Sequence, residues 1–421
     1  METLFEDIKQ QIRSQLETQE WLSDAELMER IEAIVLEKAK GRYISSSEKY
    51  DMVLKIFYSF RGLDLLQPLL DDPEISEIMV NDYNEIFVEK HGEMVRHHEQ
   101  FENREKLEDL IQLIVGKVNR VVNESVPIVD ARLADGSRVN VVLPPVALNG
   151  PTLTIRKIPK SVMTLEQLSK LGTLPPSVSS LLKLLVQAKY NLFIGGGTGS
   201  GKTTLLNALA QCIPSDERII TIEDSAELRI EGIPNLVRLE TRNRNTEGKG
   251  EITIRDLIRT SLRMRPNRII IGEVRGAEAY DMLQAMNTGH EGALSTAHAN
   301  SVKDMLSRLE MMVLSAAALP LEVIRKQIVS AIDIMIHLSR MRDRSRKVME
   351  ISEIAGIKNG EIVLNPLFVF KEDTNHSNDL EDKIRVNGCL TATGHSLHHK
   401  EKLKQAGLIE QWEAAVQEVS A

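Results

Sequence analysis

The chain has 421 residues, a formal net charge of -9 and charged residues at 27%. That length holds two or three domains with real cores, and the acidic balance excludes a protein whose bulk coats nucleic acid. Cys212 and Cys389 are the two cysteines and lie far apart, which excludes a disulfide framework and a cysteine-based zinc site and fits a reducing, cytoplasmic setting.

The stretch from Met1 to Asp7 lacks the basic start and apolar core of a signal peptide. No run approaches the roughly 18 to 20 apolar residues of a bilayer span. Work at a membrane would therefore go through docking on an embedded partner.

In chain order, the first forty residues carry apolar side chains at helical spacing: Leu4, Phe5, Ile8, Ile12 and Leu16, then Leu27, Ile31, Ile34 and Val35 behind an N-cap at Ser23 or Asp24. A further helix with Val53, Ile56, Phe57 and Phe60 is expected after Ser47. The polar surface of this helical prefix fits simple packing onto the next domain at least as well as a docking role.

Gly62 to Pro159 reads as an α+β domain. A helix at Leu65 to Leu70 is stopped by Asp72 and Pro73, and a strand through Ile75, Ile78 and Val80 leads to a turn at Asn81 and Asp82. Ile86 to Lys90 and Glu93 to Arg96 flank His91 and Gly92 as a hairpin, and Leu107, Leu110, Ile111, Ile114 and Val118 mark one face of a helix. Val126 to Val129, Val139 to Leu143 and Leu153 to Ile155 are expected strands, with arginines at their ends.

A proline turn near Pro159 reads as a linker, followed by helices at Leu165 to Leu171 and Val178 to Ala188. Strands at Arg218 to Ile222, Leu236 to Glu240 and Arg268 to Gly272 then alternate with helices at Leu257 to Met264, Ala277 to Met286 and Lys303 to Val313. That alternation predicts a largely parallel sheet sandwiched by helices. Past Leu338 the chain becomes basic and loop-like, with Arg340, Arg342, Arg344, Arg346 and Lys347. Two strands, Val348 to Ile357 and Ile362 to Leu364, would be joined at Lys358 to Gly360. Lys371 to Lys383 is polar and reads as a linker or disordered stretch, and Ser396 to Ala421 as a short amphipathic helical tail.

Within the second part, an apolar run from Leu192 to Ile194 leads into Gly196, Gly197, Thr198, Gly199, Ser200, Gly201, Lys202, Thr203 and Thr204. These residues fit G-x-x-x-x-G-K-[ST], a bare loop whose N–H groups converge on a phosphate at a helix N-terminus. In that geometry Lys202 reaches the β- and γ-phosphates and Thr203 offers its hydroxyl to Mg²⁺. The chain is therefore expected to bind a nucleoside triphosphate.

Hydrolysis also requires acids that hold Mg²⁺ through water, an acid that orients the attacking water, and positive charge for the phosphoryl group. Two acidic clusters fall where strands of an open parallel sheet should end: Glu223, Asp224 and Glu227, and Glu273 beside Arg275. Either cluster alone would serve equally as a helix-capping strand end. His298 lies in a small-residue strand that also follows His290, and is placed to contact a γ-phosphate; as a bare pair the two histidines would more often be structural.

Taken together, Gly196 to Thr203, the acidic box Thr221 to Glu227, the segment Arg265 to Gly276 and the histidine box Gly289 to Asn300 resemble the type II/type IV secretion ATPase superfamily. Glu240 to Leu257 and Asp130 to Arg138 look most like its CpaF/TadA branch, which serves tight-adherence (Flp-type) pili and is close to the VirB11 proteins. The resemblance covers roughly Leu65 to Leu367. It implies an α/β fold in which a RecA-like P-loop NTPase domain is preceded by a smaller α+β domain and an N-terminal helical segment. The corresponding divisions are 1–61 helical, 62–158 α+β, 159–164 linker, 165–371 ATPase, and 372–421 polar linker and helical tail.

By the same resemblance, subunits form a homo-hexamer and ATP lies between the two domains. Gly196 to Thr204 bind phosphates, and Mg²⁺ is held by Thr203 with Asp224 and Glu223, partly through water. Glu273 is the catalytic acid, Glu223 is its rival as general base, and His298 senses the γ-phosphate. Arg138 and Arg156 match arginines that approach the γ-phosphate, with Arg132 third. No four-cysteine insertion is present, which sets the chain apart from the type II secretion branch.

The expected function is an ATPase that powers pilus assembly or protein secretion through a polytopic inner-membrane platform protein, from the cytoplasmic face of that membrane. A nucleic-acid-stimulated RecA-like motor is the rival, supported by the run from Arg340 to Lys347 but lacking aromatic stacking residues, since aromatics are 4% of the chain. An ATP-binding scaffold is a third possibility, against which Lys202, Thr203 and Glu273 count.

Overall fold

The computed structural model describes residues 2–16, 22–118, 120–158, 162–244, 249–373 and 386–420. The chain divides into two compact units, Met1–Lys160 and Ser161–Ala421.

The first unit opens with α1 (Glu2–Leu16), α2 (Asp24–Lys38) and α3 (Ser46–Arg61). Ser23 and Ser45 close capping boxes with Glu26 and Glu48, which fixes where α2 and α3 begin. The apolar stripes of the three helices meet in a small core of their own, where Ile8, Leu27, Ile31 and Ile56 are wholly buried. Beyond α4 (Leu66–Asp71) come β1 (Ile75–Asp82), β2 (Glu85–Lys90), β3 (Glu93–Arg96), α5 (Arg104–Lys117), β4 (Ile128–Arg132), β5 (Arg138–Val142) and β6 (Thr152–Arg156). The strands form an antiparallel sheet in the order β3-β2-β1-β6-β5-β4. One face is covered by α5, whose Leu107, Ile111 and Ile114 pack with Ile78, Val141 and Ile155.

One expected turn moves. Asn81 and Asp82 belong to β1, and the turn is at Tyr83 and Asn84. Asp82 is held in the strand because its Oδ1 accepts from the Tyr83 N–H at 2.9 Å and its Oδ2 from Arg104 Nη2 at 2.8 Å.

The second unit contains α6 (Leu165–Lys170), α7 (Pro176–Gln187), β7 (Leu192–Gly196), α8 (Lys202–Ala210), β8 (Ile219–Glu223), β9 (Leu236–Glu240), α9 (Ile254–Ser261) and β10 (Arg268–Ile271). After these come α10 (Glu278–Asn287), β11 (Leu294–His298), α11 (Val302–Ala316), α12 (Leu321–Ala331), β12 (Ile334–Arg340), β13 (Arg346–Lys358) and β14 (Glu361–Glu372). The chain closes with β15 (Gly388–Ala392), α13 (Glu401–Gln405) and α14 (Ile409–Ser420). Among the described residues the sheet order is β15-β14-β13-β12-β7-β11-β10-β8-β9. From β12 to β9 the strands are parallel, and β13, β14 and β15 are antiparallel. β7, β8 and β10 are buried along their whole length, the mark of a parallel sheet covered on both faces. Leu181, Leu205 and Leu209 pack on one face, and Ile258, Met282, Leu309 and Ile328 on the other.

Several expectations are corrected here. Sequence alone leaves the helix α12 and most of β12 unassigned, and β12 pairs with β7. The basic stretch past Leu338 is not a long loop: Arg340 ends β12, Arg346 begins β13 directly opposite it, and only Met341–Ser345 turns. The next hairpin turns at Asn359 and Gly360, both left-handed (φ 54° and 80°), while Lys358 pairs with Glu361. Lys371 is in β14; the rest of the polar stretch, from 374, and the linker residues 159–161 lie outside the described residues. The tail adds β15 and buries Leu403 and Trp412 in the core of the second unit. It is also tied down by Glu353, whose carboxylate accepts from the N–H groups of His398 and His399.

Arg268 is the largest wholly buried side chain of the core. Its Nε and Nη2 donate to Glu217 at 2.7 and 2.9 Å, and its Nη1 to the Val186 carbonyl at 2.6 Å. Gly292 makes the room, since a Cβ there would lie 2.6 Å from Nη1. Removing one partner of such a pair leaves a buried charge, so Arg268→Ala should cost about 3–5 kcal/mol. Denaturant titration checks this, and Arg268→Met combined with Glu217→Leu should recover most of the loss.

Candidate functional site

The loop that follows β7 is shaped by close approach. Gly196 pairs with Leu338 of β12 on one side and His298 of β11 on the other. A Cβ at Gly196 would come within 2.5 Å of both the Leu338 carbonyl and Ser200 Oγ, so only glycine fits. Gly197, Thr198, Gly199 and Ser200 carry the chain outward, with Gly199 and Gly201 in the left-handed region (φ 70° and 95°). Gly201 caps α8 without a side-chain hydrogen bond, which leaves the first N–H groups of that helix for an anion. Thr203 and Thr204 form the first turn of α8. Lys202 is buried, and its Nζ donates to the carbonyls of Gly196 and Gly197, both at 3.0 Å.

Side chains from three strand ends continue from Lys202. His298 Nδ1 lies 3.4 Å from Lys202 Nζ, and His298 Nε2 lies 2.9 Å from Glu273 Oε1, an ion-pair distance without hydrogen-bond alignment. Glu273 Oε2 accepts from Arg275 Nη2 at 2.7 Å, and Arg275 Nη1 is 3.9 Å from Asp224 Oδ2. Lys202, His298, Glu273, Arg275 and Asp224 thus form one string along the carboxyl ends of the parallel strands, the ligand-binding side of such sheets. Burial holds the His298 imidazole below its ordinary pKa, and Lys202 and Arg275 push the same way against the pull of Glu273. A neutral imidazole here presents one donor and one acceptor.

Glu223 stands apart from this string. Its Oε1 accepts from the N–H groups of Glu227 and Leu228 at 2.8 Å each, so it secures the segment after β8. Its Oε2 is buried without a hydrogen-bond partner, and burial pushes the carboxyl up to about 7 against the pull of those two N–H groups. His290 also lies away from the string, in an apolar recess among Ile269, Ile271, Met282 and Met286.

Arg138 and Arg156 belong to the first unit, where sequence alone did not reveal their register. Arg132 on β4 lies directly opposite Arg138 on β5, Arg138 opposite Arg156 on β6, and Arg156 opposite Glu77 on β1. Three guanidinium groups therefore share one row, closed at one end by a carboxylate. Side chains directly opposite on neighbouring strands lie on one face, so the register gathers these charges along a single line.

Two residues join the loop region without having been assigned to it. In sequence Arg275 reads only as part of an acidic cluster, although its spacing from Glu273 allows the contact seen. Arg346 was placed in a basic loop, and its Nε reaches the Gly199 carbonyl at 3.3 Å.

These residues fit a nucleotide carrying a divalent cation. The uncapped start of α8 and Lys202 suit phosphate, and the hydroxyl of Thr203 with the carboxylates of Asp224 and Glu223 offers hard oxygen donors. Among the described residues no group of three or more His, Cys, Asp or Glu is arranged to hold a metal ion. Among the same residues no helix is long and apolar enough to cross a membrane.

The raised carboxyl of Glu223 makes stability pH-dependent. Its folded form holds the proton more tightly than the unfolded chain, so this contribution is full below the ordinary carboxylate range and is lost as pH rises through about 7. Glu223→Gln mimics the protonated form. The parent should lose stability relative to this variant between about pH 5 and pH 8, as read from urea midpoints at each pH.

Comparison with known proteins points the same way. The model of the type II/IV secretion system protein family matches residues 61–414. A putative conjugal transfer protein of Mycobacterium tuberculosis is 34% identical over 333 residues, 77% of this chain and 93% of that protein. The type IV secretion system protein VirB11 of Brucella suis is 35% identical over 303 residues, 66% of this chain and 84% of the relative. The crystal structure of the pilus retraction motor PilT with bound ADP aligns with a TM-score of 0.50 at 18% identity, covering 84% of this chain and 89% of that one, which shows a shared fold. The chain belongs to the type II/IV secretion system protein family.

Proposed function

We propose that this chain hydrolyses ATP in a hexameric ring at the cytoplasmic face of the inner membrane. The cycle would drive pilus assembly of the Flp/Tad type or secretion through a polytopic platform protein. The observation that carries the reading is the string from Lys202 through His298 and Glu273 to Arg275 at the end of the phosphate loop. Support for the CpaF/TadA branch comes from the segments Glu240 to Leu257 and Asp130 to Arg138. Relatives named for conjugal transfer and type IV secretion support export in general.

In this reading the N–H groups from Gly197 to Thr204 receive the phosphates, and Lys202 exchanges the carbonyls of Gly196 and Gly197 for phosphate oxygens. Magnesium, held by Thr203 with Asp224 and Glu223 partly through water, supplies charge neutralisation when bound. Glu273 orients the attacking water and takes its proton, and His298, neutral and between Lys202 and Glu273, reports the γ-phosphate to the acid. Arg138 and Arg156 supply positive charge to the phosphoryl group when the two domains close, which ties hydrolysis to motion. Glu223 is less suited than Glu273 to serve as general base, because its Oε1 already accepts from the N–H groups of Glu227 and Leu228 and its Oε2 is buried.

The test is steady-state ATP turnover beside native mass measurement of the assembly. Glu273→Gln should lower kcat by roughly 10²-fold or more with ATP binding retained, and Arg138→Ala and Arg156→Ala should lower kcat without dissolving the ring. A parent protein that binds ATP without turning it over would replace the motor with a scaffold. A second measurement concerns the helical prefix: a chain lacking residues 1–61 should bind nucleotide normally and lose association with platform protein in co-purification. Unchanged association would move the docking surface elsewhere.

A further inference from the structure

The run of arginines past Leu338 found no use in the reaction described above, yet the fold brings it to the phosphate loop. Arg340 ends β12 and Arg346 begins β13 directly opposite, so two like charges face each other across a tight hairpin. The turn between them is firmly built. Met341 N–H donates to the Ser345 carbonyl at 2.8 Å, and the Asp343 carboxylate accepts from Ser345 and from the Val386 N–H at 2.9 Å. Arg342 pairs with Glu372 of β14.

Both end arginines bear on the glycines of the loop. Arg346 Nε donates to the Gly199 carbonyl at 3.3 Å, and its stem covers Gly201, where a Cβ would stand 3.6 Å from Arg346 Cγ. A Cβ at Gly199 would stand 3.7 Å from Arg340 Nη1. Gly199 is the left-handed apex of the loop, and its conformation decides whether the neighbouring N–H groups converge on an anion. The hairpin therefore places guanidinium groups beside the backbone that would receive an anion.

We propose that the β12–β13 hairpin is a nucleotide-affinity element. Arg346 is a positioning residue that fixes the loop apex through Gly199, and Arg340 and Arg346 together supply cationic charge that draws in the polyphosphate of a nucleoside di- or triphosphate. The proposal rests on the nucleotide-binding reading above and extends it to residues outside the loop. It also gives the basic run a ligand other than nucleic acid.

The experiment is titration of the full-length protein with a fluorescent ADP analogue, and with ATP by competition, for Arg346→Ala, Arg346→Lys and the double variant Arg340→Ala/Arg346→Ala. The single alanine variant should weaken both nucleotides about tenfold and the double variant more, with the loss falling on KM rather than kcat. Arg346→Lys, which keeps the charge without the Nε donor, should recover part of the affinity. Salt should weaken nucleotide binding more steeply in the parent than in the double variant. Affinities within twofold of the parent, in variants that melt as the parent does, overturn the proposal. If the parent itself binds no nucleotide, both readings fall; if it binds and hydrolyses ATP while the variants bind equally well, this one falls alone.

Discussion

The rest of the second unit depends on one steric constraint, the absence of any side chain at Gly196. β7 lies between β12 and β11, buried on both faces, and its last residue meets the Leu338 carbonyl on one side and Ser200 on the other. With no Cβ at that point the chain can leave the sheet tightly, turn through Gly199 and Gly201, and start α8 with its N–H groups uncovered. Lys202, at the first position of that helix, is thereby tucked beneath the loop rather than released into solvent. Strand, loop, helix and lysine are consequences of a single close approach.

Around this point charge is arranged by alternation. Cationic, neutral, anionic, cationic and anionic groups follow in order from Lys202 to Asp224, so each carboxylate has a partner close by and no isolated charge is buried. The row of Arg132, Arg138 and Arg156 in the first unit is arranged in the opposite way, with like charges adjacent.

Much of this was legible in the sequence where local rules govern. The loop could be read because its glycines and lysine are contiguous, and α2 and α3 because their apolar residues recur at helical spacing, although α3 starts behind Ser45 rather than after Ser47. The α+β character of the first unit, with its hairpin, and the largely parallel sheet of the second followed from period and alternation. Register was not legible: nothing local states that Arg132, Arg138 and Arg156 share a row, since that depends on pairing across three strands. The Arg340 to Lys347 run misled for the same reason, because polar composition reads as loop while long-range pairing makes it two strand ends. Glu223 and Glu273 looked alike in sequence and differ because two backbone N–H groups, set by the path of the chain after β8, claim the first of them.

The placement of β12 and of the last helices bears on the order in which this protein can be made. β7 gains its two flanking strands only from β11 and β12, synthesised long after it, and Asn191 just before β7 donates its N–H to Asp333, whose carboxylate also accepts from Lys402 of α13 at 2.8 Å. While the chain is still emerging from the ribosome, the loop therefore has no walls, and its sheet edges stand unpaired. The first unit has its own core and is free to fold early. The second unit needs β11, β12 and α13, all made well after the loop, so competence for nucleotide comes later than the synthesis of the loop itself.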